Sequence, residues 1–274
     1  VGDLGPDDAF LEILGVTAGD GTGLSVALVG DLDGDGRSEL LVGGPNVDQD
    51  DGATFNTGAA WLFSGGSEGT VLTRDAIARI DGAAEGDYLG QAVAPAGDTD
   101  GDGIPDIVVA APGSDTVGQD AGEIGLFLGP ITGTLPLASA DAIIDGEAMG
   151  DQAGSALAPL GDMNGDGFDD IIIGSPDQSD GGEGAGAAYI VTGPVSAVAR
   201  LDQAHATIIG RLAWDHAGNS VASVQDATGD GAIDILVGAY IEDSGGLNAG
   251  AAFMVAGPIS GTRYLTNADA GFIG

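Results

Sequence analysis

A short acidic motif recurs four times along the chain at nearly constant spacing. Its copies begin at residues 31, 98, 162 and 226, so that consecutive copies lie 67, 64 and 64 residues apart. Eight residues before each motif stands a Gly, and three residues before that Gly stands an Asp. The four pairs are Asp20 and Gly23, Asp87 and Gly90, Asp151 and Gly154, and Asp215 and Gly218. Self-similarity at a fixed period is the signature of repeat proteins, in which each unit is stabilised by its neighbours, so we expect a tandem array of four like units.

Each unit contains four short segments with the composition of β-strands. The segment that follows the acidic motif is apolar and rich in β-branched residues; its copies begin at Leu40, Ile107, Ile171 and Ile235. A segment rich in small residues precedes the motif, and a third and a short fourth segment complete the unit. Segments of this kind are typical of strands rather than helices. Four-stranded units repeated in tandem are typical of propeller blades.

The expected fold class is therefore all-β, a β-propeller built of four-stranded antiparallel blades, with four repeats visible. We expect one propeller region over residues 1–274, with repeats at about 16–81, 82–145, 146–210 and 211–274 and the tail of a preceding repeat at 1–15. Leu11 to Gly15 would form the fourth strand of that preceding repeat. Since each of the four repeats has its own fourth strand, this outer strand is a surplus one. Three arrangements fit this surplus: a piece of a longer repeat protein, a protomer completed by another chain, or a closed four-blade ring. An unrelated β-sandwich with acidic turns is the alternative fold.

Each acidic motif places oxygen-bearing side chains at its positions 1, 3, 5 and 9, and the carbonyl of position 7 is the expected further ligand. The sets are Asp31, Asp33, Asp35, Arg37 and Glu39; Asp98, Asp100, Asp102, Ile104 and Asp106; Asp162, Asn164, Asp166, Phe168 and Asp170; and Asp226, Thr228, Asp230, Ala232 and Asp234. Alternate side chains can point at one centre, and the Gly at position 6 permits the positive φ that bends the chain around an ion. Hard oxygen donors suit Ca²⁺, and the motifs hold no His or Cys for Zn²⁺ or Cu²⁺. We predict about four Ca²⁺ ions, one per loop.

Position 12 separates these loops from the helical EF-hand, which has a bidentate Glu there. Here position 12 is Val42, Val109, Ile173 or Val237, so each loop is expected to link two strands. The alternative is that Asp and Gly serve only as turn formers. Because Thr228 replaces a carboxylate by a poorer hydroxyl donor, the fourth site is predicted to be the weakest.

The charge balance restricts the partners. Acidic residues outnumber basic ones 43 to 6, and the formal net charge is −37. Nucleic acid and anionic membranes are therefore not expected as partners, because they carry negative charge as well. No run of 18 apolar residues is present, so membrane insertion is not expected either. The acidity is consistent with cation binding, a salt-rich habitat, or both.

No arrangement of residues suggests catalysis, and the chain is not expected to be an enzyme. His205 and His216 have no Ser or Cys motif around them, which favours a surface or turn role. Asp20 and its counterparts occur in every unit, which indicates turn capping, since one active site needs one constellation. We expect Trp61 to pack in the core, whereas for Trp214 core packing and stacking on sugars are equally favoured.

With its flanking strands, the loop resembles the FG-GAP repeats of the integrin α-subunit propeller and its bacterial relatives. The resemblance rests on the Gly-Asp-x-Asn/Asp-Gly-Asp-Gly core at 30–36, 97–103 and 161–167 and on the apolar-Gly-x-Pro run after it. Where the family has Phe-Gly, this chain has Thr22-Gly23, Leu89-Gly90, Ala153-Gly154 and Ala217-Gly218, and its fourth repeat has Gln225 and Tyr240 in place of Gly and Pro. Members of that family usually form seven blades, with Ca²⁺ loops on the lower rim and ligand contacts on the opposite face. Only four units are visible in this sequence, so the resemblance implies part of that arrangement.

These features together predict an extracellular, Ca²⁺-binding interaction module that acts in adhesion. Its partner would be a protein or glycan ligand at the cell surface or matrix, and self-association is a further expectation. Millimolar extracellular Ca²⁺ would keep weak sites filled. One alternative is a structural subunit that assembles into a fibre or ring through strand complementation. Another is an accessory domain of a polysaccharide-active enzyme.

Overall fold

The structure is a computed structural model that describes residues 10–49, 54–195 and 198–273. The first nine residues of the expected N-terminal tail therefore lie outside the described residues. The regular elements in the described ranges are strands and four single 3-10 turns, at Thr73–Asp75, Leu137–Ser139, Leu201–Gln203 and Leu265–Asn267. Within those ranges, none of the helical elements has the length and apolar character needed to cross a membrane.

Twenty-one strands follow one another along the described chain. They are β1 (Leu11–Leu14), β2 (Ser25–Leu28), β3 (Leu40–Gly44), β4 (Ala59–Phe63), β5 (Gly69–Leu72), β6 (Ala78–Asp81), β7 (Ala92–Gly97), β8 (Asp106–Ala111), β9 (Glu123–Phe127), β10 (Gly133–Pro136), β11 (Ala142–Asp145), β12 (Ala156–Gly161), β13 (Asp170–Ser175), β14 (Ala187–Val191), β15 (Val198–Arg200), β16 (Ala206–Ile209), β17 (Ala217–Gln225), β18 (Asp234–Ala239), β19 (Ala251–Val255), β20 (Gly261–Tyr264) and β21 (Ala270–Ile273).

Each repeat contributes four antiparallel strands to one sheet, as the sequence predicts. The four sheets are β2-β3-β4-β6, β7-β8-β9-β11, β12-β13-β14-β16 and β17-β18-β19-β21. We call them blades 1 to 4. Every acidic loop joins the first strand of its blade to the second, and the small-residue strands β2, β7, β12 and β17 lie side by side as the innermost strands. The all-β propeller architecture is confirmed; none of the described sheets closes on itself.

A fifth strand, which the sequence does not predict, runs parallel to the outer strand of three blades. β10 pairs with β6, β15 with β11 and β20 with β16, so each repeat lends a strand to the blade before it. β5 pairs in the same way with β1. The surplus N-terminal strand is therefore paired along one edge. These added strands are short, and β10 and β20 are largely exposed. Such segments lack the apolar periodicity by which strands are recognised in a sequence.

The hydrophobic core lies between blades rather than within them. Alternate side chains of a strand point to opposite faces, and β8 shows the result. Val108 and Ala110 pack in a cluster with residues of blade 3, whereas Ile107 and Val109 pack with residues of blade 1. Blades 3 and 4 share a third cluster. Each blade is consequently stabilised by burial against its neighbours.

Close packing between blades leaves no space for a side chain at certain glycines. Gly218 has a φ of +87°, and a Cβ added there would collide with the carbonyl oxygen of Ala187 in the preceding blade. Gly86 has a similar φ of +82°, but no heavy atom lies within 4 Å of the position its Cβ would take. The two glycines therefore share a backbone conformation but differ in available space.

We predict that Gly218→Ala destabilises the protein much more than Gly86→Ala. Gly86→Ala should cost about 1–2 kcal/mol, because Ala is strained at positive φ. Gly218→Ala adds a clash with the backbone and should cost about 3 kcal/mol or more in total. Equilibrium urea unfolding of the two variants and the wild type measures both values. Equal losses would contradict the proposed contact between the blades.

Candidate metal centres

The first Asp of each acidic loop is the point around which the loop folds. In loop 1 the Oδ1 atom of Asp31 accepts the Gly34 N–H at 2.8 Å, and its Oδ2 atom accepts the Gly36 N–H at 2.9 Å. The other three loops have the same two bonds. Both glycines have positive φ, +79° and +88°, which glycine adopts readily. The chain thus curls around one carboxylate.

The residues at positions 3, 5 and 7 continue the turn. In loop 1 the Asp35 N–H donates to Oδ1 of Asp33 at 3.0 Å, and the Arg37 N–H donates to Oδ1 of Asp35 at 2.9 Å. Loops 2 and 3 repeat both bonds, and loop 4 repeats the second. In each of these bonds one side-chain oxygen is held by a backbone N–H of its own loop, which restricts the orientation of that side chain.

The ninth-position acid is buried in all four loops and ties the loop to the rest of the blade. Asp106, 1% exposed, accepts the Thr99 N–H at 2.9 Å and the Gly129 N–H at 3.0 Å. Glu39, Asp170 and Asp234 make the corresponding bonds. Burial raises the pKa of Asp106 and of Asp170, while these hydrogen bonds act in the opposite direction.

The structure brings together three predicted ligands in each of the first two loops. Carboxylate oxygens of Asp31, Asp33 and Glu39 lie within 4.8 Å of one another, and the same holds for Asp98, Asp100 and Asp106. The fifth-position residues Asp35 and Asp102 are not part of these two groups. Three hard oxygen donors around one point, in a loop bent by two glycines, can hold a divalent cation.

Loops 3 and 4 have the same backbone bonds but fewer carboxylates. In loop 3 the Nδ2 atom of Asn164 donates to Oδ2 of Asp166 at 2.8 Å. In loop 4 the Thr228 N–H donates to the buried Asp234 at 2.8 Å. The position 7 residues Phe168 and Ala232 donate their N–H groups to the fifth-position Asp of their loops. A donor set in these two loops would therefore include an amide or a hydroxyl.

The sequence alone assigns no role to the glycine that anchors the ninth-position acid. Gly129, Gly193 and Gly257 each stand 23 residues after that acid, and Gly65 stands 26 residues after Glu39. Three of them begin a Gly-Pro dipeptide that follows the third strand. This recurring dipeptide was an available signal, because a buried carboxylate needs a backbone partner.

The Asp that stands eleven residues before each acidic loop caps the turn before the first strand of its blade, as the sequence predicts. Asp87 accepts the Ala84 N–H at 2.7 Å, Asp151 the Ala148 N–H at 3.0 Å and Asp215 the Leu212 N–H at 3.1 Å. These carboxyl groups are nearly inaccessible to solvent. Burial raises the pKa of Asp151 to about 6, the Ala148 N–H opposes the rise, and nearby carboxylates including Glu147 add to it.

The two Trp residues have different environments. Trp61 is 3% exposed and packs with Val42 and Phe63, which confirms the prediction of a core role. Trp214 is 53% exposed, so it lies at the surface and not in the core. His216, two residues later, is paired with Asp177 through a 2.6 Å contact between Nδ1 and Oδ1.

Four-stranded blades that share their cores, each with an acidic loop between its first two strands, define a β-propeller repeat protein. The model of the FG-GAP repeat matches residues 22–63, 89–127 and 153–191, and the fourth repeat lies outside these segments. The chain therefore belongs to the FG-GAP-repeat, integrin α-like β-propeller family.

Integrin α subunits are among the curated relatives that match. Integrin alpha-PS2 of Drosophila melanogaster is 28% identical over 79% of this chain and 15% of its own length. Integrin alpha-V of Gallus gallus is 28% identical over 81% of this chain and 20% of its own length. Integrin alpha-IIb of Mus musculus is 30% identical over 80% and 20%, respectively. The chain thus spans a fifth or less of the length of these relatives.

We predict that Asp151→Asn removes a pH-dependent loss of stability. Because the folded pKa, about 6, lies above the ordinary value of 3.8, the folded state holds this proton more tightly than the unfolded state. The resulting stability is fully present below about pH 4 and is lost as the pH rises through 6. Between pH 4 and pH 7 the wild type should lose about 2–3 kcal/mol relative to Asp151→Asn.

Urea unfolding from pH 4 to pH 7 measures this difference, since Asn keeps an oxygen for the Ala148 N–H. Asp75→Asn is the matched control, because Asp75 accepts the Leu72 N–H at 3.0 Å at an exposed position. Parallel pH profiles for all three proteins would rule out the assigned effect of burial.

Proposed function

We propose that the chain is a non-catalytic interaction module whose blades are stabilised by Ca²⁺. The observation that carries the proposal is the convergence of three carboxylates within 4.8 Å at the same place in blades 1 and 2. Without a cation these charges repel one another. A bound Ca²⁺ converts that repulsion into attraction and adds its binding free energy to folding.

The proposed ligands are the side chains at positions 1, 3, 5 and 9 of each loop together with the position 7 carbonyl. The oxygen donors favour Ca²⁺. A backbone that already supports the first, third and ninth side chains reduces the ordering needed when the ion binds. About four ions, one per loop, would bind to a single propeller region formed by residues 1–274 and its four repeats.

The likeness to integrin α subunits supports a role in adhesion or interaction at the cell surface or matrix, with a protein or glycan as the partner. An extracellular location agrees with loops that are open to solvent, because millimolar Ca²⁺ outside cells keeps weak and flexible sites filled. The net charge of −37 also favours partners that are neutral or cationic on their contacting face.

We predict that Asp100→Asn changes stability in opposite directions with and without Ca²⁺. In EDTA the variant should melt at or above the wild-type temperature, because one repelling charge is gone. In excess Ca²⁺ it should melt below the wild type, because a ligand is gone; a loop filled at 100 times its Kd contributes about 2.7 kcal/mol. Thermal melts followed by circular dichroism provide the measurement.

The matched control is Asp141→Asn in the same blade, outside the loop, where the carboxylate accepts the Leu128 N–H at 2.9 Å. Its effect on the melting temperature should be the same in EDTA and in Ca²⁺. A wild-type protein that melts at one temperature under both conditions would refute the calcium proposal.

We further predict that the fourth loop is the weakest Ca²⁺ site. It has Thr228 where the first two loops have Asp33 and Asp100, so it offers one carboxylate fewer. Calorimetric Ca²⁺ titrations of Asp98→Asn and Asp226→Asn separate the loops. Asp98→Asn should abolish a tight phase, and Asp226→Asn should remove only the weakest phase. The reverse result would overturn this order of affinities.

A further inference from the structure

The turns at the end of the blades opposite the acidic loops differ between repeats in a way that the calcium proposal does not use. An acidic loop follows the first strand of its blade, whereas the capped turn precedes that strand, so the two lie at opposite ends of the blade. In the capped turn Gly86 and Gly150 occupy one position, with φ of +82° and +85°. Trp214 occupies the same position in the fourth repeat, with φ of +69°.

Backbone hydrogen bonds establish that these positions are equivalent. The Gly86 N–H donates to the Phe55 carbonyl and the Gly150 N–H to the Gln119 carbonyl, at 3.1 and 2.8 Å. The Trp214 N–H donates to the Glu183 carbonyl at 2.8 Å. A left-handed conformation is readily adopted by Gly, but it is a genuine outlier for a bulky residue such as Trp. The fourth repeat therefore keeps a strained residue where its neighbours have an unstrained one.

Two further departures from the repeat occur at the same place in space. Tyr240 follows strand β18 directly, where the other repeats have Pro45, Pro112 and Pro176 after their second strands. Gly184 occupies the position of Asn56 and Asp120, since its carbonyl accepts the His216 N–H as theirs accept those of Tyr88 and Gln152.

Gly184 makes room for the aromatic side chains. A Cβ there would lie 3.0 Å from Cε3 of Trp214 and 3.6 Å from Cε1 of His216. The Trp214 and His216 ring centroids are 6.2 Å apart, and those of His216 and Tyr240 are 5.6 Å apart. Trp214 and Tyr240 are 53% and 56% exposed. We call these three rings the aromatic cluster.

One carboxylate contacts the cluster, two more follow Tyr240 closely in the sequence, and all three have partners. Oδ1 of Asp177 contacts Nδ1 of His216 at 2.6 Å. Glu242 accepts the Ser244 N–H at 2.9 Å and lies 3.5 Å from Nη1 of Arg211, and Asp243 accepts the Asn248 N–H at 2.7 Å. These groups supply negative potential without needing a new donor. A quaternary ammonium group, which has no N–H, is attracted by this potential without needing a hydrogen-bond acceptor.

We propose that the aromatic cluster of Trp214, His216 and Tyr240 is a binding site for a quaternary ammonium group. Cations are attracted to aromatic faces, most strongly to that of Trp. The methyl groups of a quaternary ammonium gain from leaving water, and the net charge of −37 draws cations to the surface. Strained residues are kept where a function needs them, which accounts for Trp at a position suited to Gly. This site is separate from the Ca²⁺ loops.

The test is a titration with choline chloride, followed by Trp fluorescence in excess Ca²⁺ and at constant ionic strength. The wild type should show a saturable change in fluorescence. Trp61→Phe should keep that change, since Trp61 is buried and remote from the cluster in sequence and blade. The neutral isostere 3,3-dimethyl-1-butanol should bind at least about tenfold more weakly, because it lacks the charge.

Two variants restore the residues of the other repeats. Trp214→Gly and Tyr240→Pro should each weaken choline binding at least about tenfold, measured for Trp214→Gly by calorimetry. Trp214→Gly should melt at or above the wild-type temperature, because Gly relieves the strain at φ +69°. Should Tyr240→Pro fail to fold, Tyr240→Leu provides the same test. Equal binding of choline and its isostere, or undiminished binding to Trp214→Gly, would overturn the proposal.

Vesicle sedimentation distinguishes the source of the quaternary ammonium group. Wild-type protein that pellets with phosphatidylcholine vesicles but not with phosphatidylglycerol vesicles, an effect lost in Trp214→Gly, supports a lipid headgroup as the ligand. Saturable choline binding without pelleting supports a small solute. A protein that responds to neither free choline nor phosphatidylcholine lacks the proposed site.

Discussion

The buried carboxylate at the ninth position of each loop is the contact on which the blade depends. It is at most 1% exposed in all four blades, and it joins three separate parts of the backbone. In blade 2, Asp106 begins the second strand, accepts the N–H of Thr99 in the loop and accepts that of Gly129 after the third strand. Because hydrogen bonds to a buried charge are strong and leaving such a charge unpaired is costly, this arrangement fixes the loop against the sheet.

The same contact links the candidate ion site to the packing between blades. Carboxylate oxygens of Asp106 lie within 4.8 Å of those of Asp98 and Asp100, so one residue belongs both to the fold and to the proposed donor set. The next residue in β8, Ile107, is buried in the core shared with blade 1. Any ion held by the loop therefore acts on a strand that two blades use for their cohesion.

Much of this organisation could be predicted from the sequence, because it repeats. The period, the four strands of each blade and the capping role of Asp87, Asp151 and Asp215 all follow from local composition and spacing, and the structure confirms them. The parallel fifth strands could not be predicted in this way. Strands such as β20 are exposed along their whole length, and their pairing is specified by the neighbouring blade rather than by their own residues.

The aromatic cluster could not be predicted from the sequence, because its residues are brought together only by the fold. Trp214 and Tyr240 are 26 positions apart in the chain, and Gly184 belongs to the preceding repeat. Each is visible in the sequence as an isolated departure from the repeat. Only the arrangement of the strands shows that the three departures meet at one point on the surface.

The parallel strand that each repeat lends to the blade before it has a mechanical consequence. When the chain is pulled from its two ends, blade 1 cannot separate from blade 2 until β10 slides along β6, which loads their ladder of hydrogen bonds in shear. Three successive pairs of blades, joined by β10, β15 and β20, are fastened in this way. An array built like this resists extension as a unit.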